Sequence, residues 1–252
     1  MTLPRRRLLA GAAGLPLLTA AACTEAAAPR AENAPPPART RTPAPARSRV
    51  AAAPARLPQD VPGLGPRTRA RIPAGTRQVL VVTGPSRRSS TATAVLYERG
   101  PDGWRGGPAW PAHNALRGWT RRHMQGDLRT PAGVYGLTDA GGLDPDPGTK
   151  LPYDHGPAFT VDGRGFEGEP LAGSFDYVIA INYNRKPGTT PLDWTRPMGD
   201  ERGGGIWLHV DHDGPTSGCV SVAKRHMRTL LRTLEPREKP VVAMGPERWL
   251  AR

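Results

Sequence analysis

Cysteine is nearly missing from this sequence: 252 residues contain two, Cys23 and Cys219, and only Cys219 lies beyond the first 25 positions. Long apolar runs are missing as well. After Leu8–Leu18 no apolar run is long enough to cross a bilayer as a helix, and no internal repeat is present. Acidic residues are scarce only toward the start. The formal net charge is +13, yet residues 79–252 hold 22 basic against 19 acidic residues, while residues 24–78 hold ten against three. The later part of the chain is therefore nearly balanced, and the high pI gives no reason to expect a nucleic-acid partner, which would need basic residues patterned on a folded surface.

The N-terminus carries an export pattern. Arg5-Arg6-Arg7 precedes an apolar run from Leu8 to Leu18, and Ala20-Ala21-Ala22 ends it just before Cys23. Such a run is too short for a permanent span and reads as a signal peptide over residues 1–22. A cysteine directly after the small residues matches a lipobox, which predicts lipidation of Cys23 and anchoring to the outer face of the cell membrane. Residues 23–78, rich in Ala, Pro and Arg, are expected to form a disordered tether, because this composition buries too little apolar surface to offset chain ordering. With Cys23 lipidated, Cys219 has no intrachain disulfide partner. An unpaired thiol in an exported protein is a candidate reactive group.

The folded domain is placed at residues 79–252. Val79–Thr83 and Ala92–Glu98 read as strands, Gly100–Pro108 as a turn, and His113 as a surface or packing histidine. Pro131 and Gly133 make Thr130–Gly133 a loop feeding a strand at Val134–Leu137. Residues 139–158 read as an irregular loop. Tyr177–Asn184 alternates Tyr177, Ile179, Ile181 and Tyr183 on one face, a strand signal, and a long loop follows from Arg185 to Gly205. Met227, Leu230, Leu231 and Leu234 fall at helical spacing, with Ser221 as a cap and Pro236 as a stop, before a last strand at Val241–Met244. The expectation is a mainly β fold with one helix after Cys219.

The densest stretch is Gly203–Val222. An apolar run, Ile206–Leu208, delivers His209, and the loop Asp211–Thr216 leads to Ser217-Gly218-Cys219. Only the thiolate is nucleophilic, so a histidine ten residues away across a tight loop is a candidate base. The expected helix start just after Cys219 would add a field that favours the thiolate.

Thr130-Pro131-Ala132-Gly133-Val134-Tyr135, a strand ending in His209, and Thr216-Ser217-Gly218-Cys219 together resemble the L,D-transpeptidase (YkuD-like) catalytic domain over about Val79–Met244. The resemblance implies an L,D-transpeptidase-type β-sandwich that cross-links bacterial peptidoglycan stem peptides through a cysteine acyl-enzyme, releasing D-Ala, with L,D-carboxypeptidase activity as a variant outcome. It implies Cys219 as nucleophile, His209 as general base and acid oriented by the Val210 carbonyl, and the N–H groups of Gly218 and Cys219 as oxyanion donors. It implies no cofactor and a monomer. Two positions depart from the family pattern: Ser217 stands where a second histidine is usual, and Ser221 where an Arg or Asn is usual.

Two other readings fit parts of the pattern. His209, Asp211, His212, Asp213 and Cys219 offer zinc-ligand chemistry close together, which would make a zinc hydrolase, although His212 by itself reads as a solvated loop residue. Cys219 as an inert core thiol would make the chain a non-catalytic wall-binding lipoprotein.

Overall fold

Strand-length runs of β-branched residues set the framework, because alternate side chains leave a strand on opposite faces. The computed structural model describes residues 56–252. The expected signal peptide, Cys23 and most of the tether lie outside the described residues. A short helix α1 (Pro66–Arg69) precedes the strands β1 (Gln78–Gly84), β2 (Thr91–Gly100), β3 (Gly103–Gly106), β4 (Trp110–His113), β5 (Trp119–Thr120), β6 (Thr130–Pro131), β7 (Gly133–Gly142), β8 (Tyr153–His155), β9 (Val178–Ile181), β10 (Trp207–Val210) and β11 (Val220–Val222). Then come α2 (Lys224–Thr233), β12 (Val241–Pro246) and α3 (Glu247–Leu250).

The main sheet runs β1-β12-β7-β9-β10-β11-β4-β2, and β2 pairs back with β1, so it closes on itself. β3 and β8 are appended to β2 and β7. The mainly β expectation holds, and the facing layers are walls of one closed sheet. Closure leaves few unpaired edges.

Two cores follow from the alternation. On β1, Leu80 and Val82 face the interior cluster, whereas Val79 and Val81 face outward. β12 does the same: Val242 and Met244 point in, and Val241 and Ala243 point out. The outer set is covered by Val61, Leu64, Trp104 and Leu250. Residues from about 57 onward, expected within a disordered tether, therefore belong to the folded body. Val61 and Leu64 are each 3 % exposed, and this apolar cover outweighs the Pro-rich composition around them.

Tyr177, Ile179, Ile181 and Tyr183 all join the interior cluster, as their alternation predicts, although regular pairing is confined to β9. Met227, Leu230, Leu231 and Leu234 are fully buried in the same cluster. The N-cap of α2 is Ala223, with no side-chain bond, so burial at about 1.5–3 kcal/mol per large side chain holds this helix rather than capping. Ser221, expected as the cap, sits inside β11 instead. The expected turn at Gly100–Pro108 contains β3, and the expected irregular loop at 139–158 holds the end of β7 and all of β8. A register shift between Leu137 and Ala140 re-aims Asp139, whose carboxylate meets Arg185 at 2.7 Å with both side chains buried. That pair anchors the start of the long 185–205 loop.

Candidate active site

The site follows from the alternation on two neighbouring strands. β10 and β11 pair in parallel with His209 opposite Ser221. Leu208, Val210, Val220 and Val222 face the core. The residues between them, His209 and Ser221, therefore share the opposite face with Cys219, two positions before Ser221, and with Asp211, two positions after His209. His113 on β4, paired with Ser221, extends this polar row. A cavity of about 270 Å³ opens here, lined among others by Phe175, His209, His212, Ser217 and Cys219, with Phe166 exposed at its rim.

His209 is 3 % exposed, and its Nδ1 lies 2.8 Å from the Val210 carbonyl oxygen. A carbonyl oxygen only accepts, so Nδ1 carries the proton and Nε2 keeps a free lone pair. Phe175 packs edge-on against the ring at 5.5 Å. Burial pushes the imidazolium down to about pKa 4, further than the Val210 carbonyl restores it, so His209 is neutral at rest.

Cys219 is half-buried and is the free cysteine of the described residues. Its Sγ accepts the Trp207 N–H at 3.4 Å and faces the Gly205 carbonyl at 3.6 Å. Burial pushes the thiol up to about 11, only partly offset by the Trp207 N–H. The helix-field argument fails here, because the three residues of β11 separate Cys219 from α2 and the field falls off within the first turn. A neutral thiol and a neutral imidazole, lining one cavity with no hydrogen bond between them, is the resting arrangement.

The two sequence motifs meet at the Cys219 carbonyl, which accepts from the Thr216 hydroxyl at 2.7 Å and the Thr130 hydroxyl at 3.3 Å. Thr130 thereby locks the Thr-Pro-Ala-Gly segment to the thiol loop, a role its sequence position alone did not reveal. Gly218 is closely packed: a Cβ there would meet Ile206 Cδ1 at 3.0 Å, so that side chain would have to shift slightly, and His123 Cε1 at an ordinary 3.7 Å. His123, buried and unmarked by any motif, backs this turn with its Nδ1 2.9 Å from Asp127.

His212 is not a solvated loop residue. Its side chain is 6 % exposed, with Nδ1 3.3 Å from Glu169. Its ring stacks on His209 at 5.7 Å and 10°. Asp213, at φ 62°, provides the turn that follows it. Asp211 is occupied elsewhere, accepting from the Ser221 hydroxyl at 2.6 Å and pairing with His113 Nδ1 at 2.8 Å. Ser221 is thus part of a buried network beside the cavity. The Asp211 bond holds the His113 imidazole above its ordinary value. Among the described residues no three His, Cys, Asp or Glu side chains are arranged to hold a metal ion.

Buried His209 makes stability depend on pH. Its folded pKa lies below its unfolded value near 6.5, so between about pH 6.5 and 4 the unfolded chain binds the proton and the folded one does not. Unfolding free energy should fall by on the order of 3 kcal/mol across that window from this group. Urea unfolding at pH 7 and pH 4 measures the drop. In His209→Gln the drop should shrink, and an unchanged drop would refute the assignment.

A search of curated proteins finds no match to this chain. Among solved structures, that of Bdellovibrio bacteriovorus Bd1075 aligns at 19 % identity with a TM-score of 0.37, covering 67 % of this chain and 47 % of that one. This chain thus spans less than half the length of that protein. Residues 121–242, which contain Thr130, His209 and Cys219, match the family model YkuD, L,D-transpeptidase catalytic domain. The segment that carries the Cys219 cavity, residues 121–242, is thus of the YkuD, L,D-transpeptidase catalytic domain type.

Proposed function

We propose that this protein cross-links peptidoglycan stem peptides, with Cys219 as nucleophile and His209 as the proton carrier. The observation that carries the reading is the Val210-fixed imidazole with a free Nε2 lining the same cavity as a hydrogen-bonded thiol. His209 Nε2 takes the Cys219 proton, and the sulfur attacks the carbonyl that joins the diamino acid to the terminal D-Ala. The oxyanion falls to the amides of Gly218 and Cys219. Collapse breaks the C–N bond, and His209 returns its proton to the departing D-Ala amine. A neighbouring stem's amine then attacks the thioester, loses its proton through His209 and restores the thiol. Water in place of the amine gives carboxypeptidase turnover.

Metal chemistry at the same place would need Asp211 as a ligand, but His113 and Ser221 already engage it, and no three His, Cys, Asp or Glu side chains are arranged around one point among the described residues. We further propose export and anchoring through Cys23 as a monomer facing the wall, on the strength of the N-terminal pattern. Incubation with tetrapeptide muropeptides, followed by mass analysis, tests the function. Dimers with released D-Ala, unaffected by EDTA, are expected. Activity lost to the chelator and restored by zinc would overturn the reading.

A further inference from the structure

A second cavity, of about 570 Å³, shares no lining residue with the Cys219 cavity. Arg67, Arg71, Arg121, Arg202 and Arg252 line it, and no Asp or Glu does. None of the five forms an ion pair among the described residues, where the paired arginines are Arg69, Arg77, Arg185 and Arg237. The Nε of Arg202 is buried and lacks an acceptor there. Five like charges in one concavity repel each other, and an anion is the ligand that relieves them.

The fold positions the Arg121 guanidinium and the backbone that carries the other arginines. Arg121 lies over the Trp249 indole at 4.7 Å, which fixes its plane and leaves its N–H edge free to donate. The Tyr183 hydroxyl donates to the Arg202 carbonyl at 2.9 Å. The Arg67 and Thr68 amides donate to a main-chain oxygen of Arg252 at 2.8 and 3.2 Å, joining the two chain segments that supply this wall. Arg67, Arg71, Trp249 and Arg252 lie outside residues 121–242, so the flanks of this chain supply one wall of the cavity, while Arg121 and Arg202 come from the matched segment.

We propose that this cavity binds a phosphate-bearing anion. A single carboxylate would satisfy one fork, whereas a pyrophosphate or a run of phosphodiesters spreads several charges over many acceptor oxygens and can engage several guanidiniums at once. Such chemistry comes either from a free phosphate ester or from an anionic polymer built on phosphodiesters.

Calorimetric titration of the full chain with inorganic pyrophosphate, at about 0.15 M salt to suppress diffuse attraction, tests this. One saturable site is expected, weakened at least about tenfold in Arg71→Ala and in Arg121→Ala. Arg122→Ala removes an exposed neighbour outside the cavity and should bind as the parent does. Matching thermal transitions for the three variants keep folding out of the comparison. Displacement of pyrophosphate by a glycerol phosphate oligomer identifies the polymer as occupant, and its absence identifies a free phosphate ester. No saturable binding, equal weakening by Arg122→Ala, or equal competition by citrate would overturn the proposal.

Discussion

Cys219→Ala should abolish the covalent adduct with a carbapenem and lower stem-peptide turnover by roughly 10⁴-fold or more. The described residues contain no other thiol, and the sulfur occupies a defined place between the Trp207 N–H and the Gly205 carbonyl. An alanine methyl fits where the Cβ already lies, and the carbonyl anchors from Thr130 and Thr216 do not involve the side chain. The loop should therefore keep its shape, and the thermal transition should move little. Intact-protein mass spectrometry reads the adduct directly. An adduct that persists in Cys219→Ala would place the nucleophile elsewhere, and a parent protein that never forms one would favour a binding module with an inert thiol.

The placement of His209 and Cys219 on one cavity and the framework were legible in the sequence because both rest on short-range pattern. Short β-type runs between turn residues marked β1 and β2, alternation marked β9, helical spacing marked α2, and a histidine-ended strand with a small-residue cysteine turn marked His209 and Cys219. What was hidden depends on partners far along the chain. Val61 and Leu64 look like tether residues until Trp104 and Leu250 cover them. His212 looks solvated until Glu169, more than forty positions earlier, pairs with it under the Phe166 rim. β3 was hidden by its two terminal glycines, which read as turn, although its pairing with β2 supplies the missing order. The assignment of Ser221 as a cap failed because cap and strand residues share the same small polar chemistry. Only the register opposite His209 shows that the hydroxyl serves Asp211. The same register puts Ser221 in the Asp211 network, while Cys219 and Ser217 line the cavity.

His209→Ala should slow acylation by about 10²–10⁴-fold near neutral pH, and the change in pH profile is more telling than the loss. In the parent, a neutral imidazole accepts the proton of a neutral thiol, so the pair needs no prior ionisation. With the imidazolium near pKa 4 and the thiol near 11, acylation should be nearly flat from about pH 5 to 9. Without the imidazole, only the thiolate reacts, and hydroxide must supply it. The variant's rate should then rise about tenfold per pH unit up to about 11. Stopped-flow carbapenem acylation over this range separates the two cases. A uniformly lower but still flat profile would show that another group carries the proton. His212 is the group to examine then, since its ring lies face to face with His209. Removal of the Phe175-packed imidazole also opens space at a buried position, so the comparison uses the slope of the profile, which loosened packing does not generate.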